Sequence, residues 1–227
     1  MLRFLFHKYL YPRLEDFYSI SQVISTSVEF ICNGAHDSDF RNILHSLEMK
    51  LQRSQNLTFS KVTGILEEEA LLLYSLIRSK KPKVIVETGV ANGVSSFIIL
   101  SAIDSNQTGN LVSFDIQENV GNLIPENLKK NWKLEVIMPD KKSLIDAAKE
   151  IGNIDLFIHD SDHSYSWQLF EYKLFWEKLT QNGILVSDDI DDSFAFYDFC
   201  QFINRRPKIL VTTRKLLGFV EKTDGSQ

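Results

Sequence analysis

The stretch VIVETGVANGVSSF, Val84 to Phe97, decides the fold. A β-branched apolar run leads into an acid, Glu87, then Gly89, three residues, and Gly93. Small and hydroxyl residues follow in a helical pattern. An apolar run without alternation, bounded by turn residues, reads as a strand buried on both faces. The helix after it is expected near Val94. Gly89 and Gly93 can take positive φ and let a ligand approach the backbone. The free N–H groups of the helix start favour an anion. A tight strand-to-helix turn with no ligand is the competing reading of the two glycines. The spacing is G-x-x-x-G, not the G-x-G-x-x-G of dinucleotide folds. Glu87 would repel a pyrophosphate and attract an ammonium or a sulfonium.

Outward from this turn the chain alternates short apolar runs with helical segments. The predicted strands are KVIVET, NLVSFDI, KLEVIM, IDLFIHD and GILVSDD. Strands separated by crossover helices form a parallel sheet covered on both sides. After a helix in SFAFYDFCQFINRR, the segment KILVTTRKLLGFVEK reads as two strands joined tightly around Arg214 to Gly218. A tight link makes that pair antiparallel. The fold class is α/β: a Rossmann-like, doubly wound, seven-stranded mixed sheet with its last strand antiparallel. Residues 1–60 are expected to form an N-terminal helical extension and residues 61–227 the ligand-binding domain. In SKVTGILEEEALLLYSLIRSKK, Leu66, Ala70, Leu73 and Ile77 share one helical face, and Pro82 ends the helix.

Ligands of such sheets bind beyond the carboxyl ends of the strands. Those ends carry Glu87, Asp115, Asp140, Asp160, and the pair Asp188 and Asp189. Asp115, ending the second strand, is placed to accept hydrogen bonds from both hydroxyls of a ribose. A ligand with an amino acid end and a nucleoside end satisfies Glu87 and Asp115 together, and S-adenosylmethionine is such a ligand.

The segments VETGVANGVSS, VSFDIQEN, IDLFIHDSDHSY and GILVSDDI resemble successive motifs of class I S-adenosylmethionine-dependent methyltransferases, over roughly residues 63–192. HDSDHSY with SDD resembles the metal-dependent branch of sugar and macrolide O-methyltransferases and cephalosporin-type enzymes, and more distantly the catechol O-methyltransferases. The resemblance implies that Glu87, Gly89 and Gly93 surround the methionine part of S-adenosylmethionine, with Ser95 near its carboxylate. It implies Asp115 for the ribose and Asp140 and Lys141 for adenine, although MPDKKS departs from the family's usual small residues. It further implies Asp160, Asp188 and Asp189 as metal-binding carboxylates, with His163 as general base.

Three carboxylates suit a hard cation, Mg²⁺ or Ca²⁺, that could polarise a hydroxyl of a small-molecule acceptor, a sugar or secondary metabolite. Asp160 is grouped with His163 as catalytic. His163 has an ordinary pKa suited to proton transfer. The competing reading makes these acids loop and cap residues, since Asp162, Asp191, Asp192 and Ser193 are good capping types. Tyr165, Leu169, Tyr172 and Trp176 lie at helical spacing and are expected in the core. His159 is read as a strand residue.

A formal charge of −5 over 227 residues supplies no basic field for nucleic acid. Two distant cysteines, Cys32 and Cys200, argue against a disulfide framework or zinc site and fit a reducing, cytoplasmic setting. No apolar run reaches the length of a membrane span, and the first residues do not read as a signal peptide. The aromatic start, with Phe4, Phe6, Tyr11 and Phe17 beside Arg3 and Lys8, has three competing readings: a lid, a homo-oligomer contact, or a membrane-surface contact. Two rival functions stay open: a nicotinamide-dependent oxidoreductase on a similar sheet, and a metal-independent methyltransferase.

Overall fold

The computed structural model describes residues 38–54, 57, 59, 67–212 and 215–223. The aromatic start of the chain lies outside them. Of the described residues, 38–152 form one compact unit and 153–223 belong to a second.

The first unit opens with helices α1 (Ser38–Arg53) and α2 (Glu67–Lys80). Strand β1 (Val84–Thr88), helix α3 (Val94–Asn106) and strand β2 (Asn110–Asp115) follow. A 3₁₀ turn (Glu126–Asn131), strand β3 (Trp132–Val136) and helix α4 (Lys141–Lys149) complete it. β1 pairs with β2, and β2 with β3, all parallel. Ile85, Val86, Leu111 and Phe114 are buried in the sheet, and α3 is buried on every side from Val94 to Ile103. An apolar helix of that kind belongs to the interior of a covered sheet. Helix α2 is buried nearly all round from Glu69 to Ile77, not on the single face that its spacing suggested. Phe40 of α1 packs on Tyr74 of α2, with ring centroids 5.2 Å apart.

The second unit contains β4 (Ile154–His159), α5 (Tyr165–Lys178), β5 (Leu179–Ser187), α6 (Ala195–Phe202), β6 (Lys208–Val211) and β7 (Leu216–Glu221). β4 and β5 are parallel, while β7 runs antiparallel to both β5 and β6. The strand order of the seven-stranded sheet is β3-β2-β1-β4-β5-β7-β6. The expected mixed sheet with a reversed last strand is present.

Two local expectations need correcting. The buried face of α5 is Gln168, Glu171, Tyr172 and Phe175, and Tyr165 is 44% exposed. Phe175 stacks on Phe157 of β4 at 4.3 Å, and Tyr172 meets Phe196 and Phe199 of α6. Gly218 lies inside β7, not in the turn, with its α-carbon facing the Phe196 ring. No helix among the described residues is long and apolar enough to cross a membrane.

Candidate functional site

In the first unit, β1 ends in a turn whose backbone is left-handed at Gly89, Ala91 and Gly93, with φ of 85°, 47° and 83°. Two bonds dock it on β2: Gly89 N–H donates to the Phe114 carbonyl, and Val90 N–H to Asp115 Oδ2, each at 2.9 Å. The following loop closes over the other side. Gly121 N–H donates to Ala91 O and Leu123 N–H to Asn92 O. A Cβ on Gly93 would sit 2.8 Å from the Gly121 Cα. That close approach alone demands glycine at 93. Buried Asn92 clamps the backbone of Phe59, accepting its N–H at 3.2 Å and donating to its carbonyl at 3.1 Å.

Glu87 faces inward. Its side chain has no exposure. Ser95 donates to Oε1 at 2.5 Å, while Ser96 and Ser113 donate to Oε2 at 2.6 and 2.8 Å. Burial raises its pKa, although the three hydroxyl bonds act the other way. Glu87 and Ser95 therefore bind each other and lock the start of α3 onto the end of β1. The Ser95 hydroxyl is spent on Glu87, which leaves the backbone N–H groups at the start of α3 to meet an anion. Ser113 gave no signal in the sequence. It reaches Glu87 because the parallel register sets the two residues side by side.

Asp115 is different, being only partly buried. Oδ2 takes Val90 N–H, Oδ1 takes Gln117 N–H at 2.9 Å, and each oxygen keeps a further lone pair. Beside it Ile116 is 54% exposed, and at the end of the neighbouring strand Met138 is 66% exposed. An acid flanked by uncovered apolar side chains suits a nucleoside, with polar hydroxyls at one end and a flat base at the other. Ile116 and Met138 were missed in the sequence, where they read as the last residues of buried strands. Asp140 caps α4 by accepting Ser143 N–H at 2.8 Å, and Ser143 Oγ accepts Met138 N–H. Lys141, the first residue of α4, is exposed.

In the second unit a polar cluster gathers beyond β4 and β5. His159, at the end of β4, has no exposure and binds Glu171 of α5, Nδ1 to Oε2, at 2.6 Å. Ser161 Oγ and Trp167 Nε1 donate to the other oxygen of Glu171. The ring of His163 stands edge-on to His159, with centroids 5.6 Å apart. His163 Nε2 is 3.9 Å from both Asp160 Oδ1 and Asp189 Oδ2. Burial, then the neighbouring His159, lowers the His163 pKa, against the pull of Asp188 and Asp192. A neutral imidazole between two carboxylates can accept a proton. Asp160, His163 and Asp189 thus stand together.

The third expected metal ligand is engaged elsewhere. The Lys215 ammonium donates to Asp188 Oδ2, and both side chains are largely buried. Among the described residues, no group of three His, Cys, Asp or Glu side chains is arranged to hold a metal ion. An ammonium on one of three intended donors is the opposite of what a dication requires. The donor set does not fit the expected Mg²⁺ or Ca²⁺ centre.

The comparisons with known proteins bear on the same strand ends. Residues 86–190, which run from β1 through β5, match the family model described as a methyltransferase domain. That stretch of the chain is similar to a methyltransferase domain. No curated protein matches the chain by sequence. Among solved structures, the O-methyltransferase TomG from Streptomyces achromogenes, in complex with SAM, is similar at 13% identity and a TM-score of 0.57, over 92% of this chain and 98% of that one. The O-methyltransferase from Bacillus cereus in complex with SAH is similar at 12% identity and a TM-score of 0.57, over 91% and 97%. A methyltransferase from Geobacter sulfurreducens reaches 17% identity and 0.56, over 81% and 89%. At these identities the likeness shows the fold. The glycine turn, Asp115 and the His163 cluster all fall within residues 86–190, the span of that similarity.

Proposed function

We propose that the chain transfers a methyl group from S-adenosylmethionine to a hydroxyl of a small molecule, a sugar or secondary metabolite. The observation that carries this reading is Asp115, with open acceptor capacity beside the glycine turn and exposed Ile116. When bound, S-adenosylmethionine supplies an electrophilic methyl group on a sulfonium. Asp115 would accept the ribose hydroxyls, Ile116 and Met138 would cover the base, and the N–H groups at the start of α3 would meet the carboxylate. Glu87 acts from inside, holding Ser95 and Ser96 so that the turn keeps its shape. His163, neutral and between Asp160 and Asp189, would take the proton released by the acceptor hydroxyl. The SAM and SAH complexes of the similar folds support the choice of cofactor. Small-molecule hydroxyl acceptors are the class that O-methyltransferase neighbours suggest.

The test is transfer of a labelled methyl group from S-adenosylmethionine to a panel of sugar, polyketide and catechol hydroxyls, with amine and thiol acceptors alongside. His163→Ala should slow transfer by about 10²–10⁴-fold while leaving S-adenosylmethionine affinity in place. Label appearing only on amine or thiol acceptors would sink the hydroxyl reading.

A further inference from the structure

We propose that Lys215 is the built-in cation of the acid cluster, standing where the resemblance puts a divalent ion. The loop after β5 carries Asp188, Asp189, Asp191 and Asp192 within five residues, and Asp188 and Asp191 are buried. Buried carboxylates this dense require a countercharge. The fold delivers one from the other end of the second unit. Lys215 begins the approach to β7, and its backbone is fixed by Thr212, whose hydroxyl donates to the Lys215 carbonyl at 2.8 Å and accepts its N–H at 3.1 Å. One residue on, Leu216 N–H donates to Asp191 Oδ1 at 2.9 Å, and Ile190 N–H donates to the Leu216 carbonyl at 3.0 Å. These bonds sew Leu216, at the start of β7 and next to Lys215, to the acid loop. The ammonium is thereby carried onto Asp188, whose own N–H is held by the His159 carbonyl.

The chemical consequence follows from what an ammonium is. It neutralises one carboxylate and offers three donors, but it has no vacant orbital with which to polarise a hydroxyl. A cluster organised by Lys215 holds its carboxylates in place and leaves proton removal to an imidazole. Asp188 Oδ1 is buried and has no hydrogen-bond partner, so the carboxylate keeps an unused oxygen beside the one that Lys215 occupies. Removing the ammonium would leave Asp188 with both oxygens open. Lys215 is in these terms a positioning residue, and its role concerns the charge of the cluster whatever the methyl acceptor.

Manganese titration of the full-length protein, followed by the electron paramagnetic resonance of free Mn²⁺, tests this without any substrate. Wild type should sequester no Mn²⁺ at millimolar concentrations, and Lys215→Arg should match it. Lys215→Met should bind Mn²⁺ at least ten times more tightly, and Lys215→Met with Asp188→Asn should lose that gain. Thermal melting of each variant reports whether it folds. Stoichiometric Mn²⁺ binding by wild type that Asp188→Asn abolishes would overturn the proposal, and it does so even if Lys215→Met fails to fold. A folded Lys215→Met with no gain in Mn²⁺ affinity would overturn it equally.

Discussion

The Val90 backbone N–H donates to Asp115 Oδ2 at 2.9 Å, so the acid that ends β2 also holds the glycine turn that follows β1. One carboxylate thus joins two strand ends. A substitution at Asp115 removes a ligand acceptor and loosens the turn together, and its effect on binding should exceed its effect on stability.

Gly93→Ala should destabilise the protein by about 2–4 kcal/mol. A residue with a Cβ at φ 83° is strained, and that Cβ would meet the Gly121 backbone at 2.8 Å. Gly152→Ala is the control, since its Cβ would meet nothing within 4 Å and should change stability by less than about 1 kcal/mol. Urea unfolding measures both. Equal midpoints for the two variants would show that the 120–124 loop yields to the added carbon.

Glu87→Gln should gain stability relative to wild type as pH rises. The folded-state pKa of Glu87 is raised, chiefly by burial. The stabilising neutral form is fully populated below the ordinary carboxyl range, and its contribution is lost as pH climbs through the raised value. Each unit of that rise is worth about 1.4 kcal/mol. Glutamine does not titrate, so any cost of reorienting the three serine hydroxyls is independent of pH. Melting temperatures of both proteins from pH 4 to pH 8 should diverge upward for the variant. A constant gap across that range would mean that Glu87 is not held neutral.

The strands and their acid-bearing ends were legible because a covered parallel sheet writes itself as apolar runs broken by polar turns. What each acid does was not legible. Glu87 precedes a glycine turn and reads as a ligand contact, but Ser113, 26 residues further on, claims it through strand register. Lys215 reaches Asp188 across 27 residues, from a turn that reads only as a strand connection. Long-range partners of this kind leave no local period. His159 likewise reads as one more strand residue until α5 brings Glu171 against it.

Gly218→Ala should cost about 1–3 kcal/mol. The residue is mid-strand in β7, and an added methyl would run into the Phe196 ring, which is packed against Tyr172 and cannot simply swing away. Denaturant unfolding of the single variant and of Gly218→Ala with Phe196→Leu separates the causes. If the smaller partner restores none of the loss, the clash is not with Phe196.

Equilibrium titration with S-adenosylmethionine tests the central claim most directly. Wild type should bind with a dissociation constant on the order of 1 µM to 1 mM, and NAD should not bind. Asp115→Ala should weaken S-adenosylmethionine by about ten- to a hundredfold, the equivalent of losing about 1.5–3 kcal/mol of charge-assisted hydrogen bonding. Wild-type affinity in a folded Asp115→Ala variant, or binding of NAD in preference to S-adenosylmethionine, would contradict the assignment of this strand end to the methyl donor.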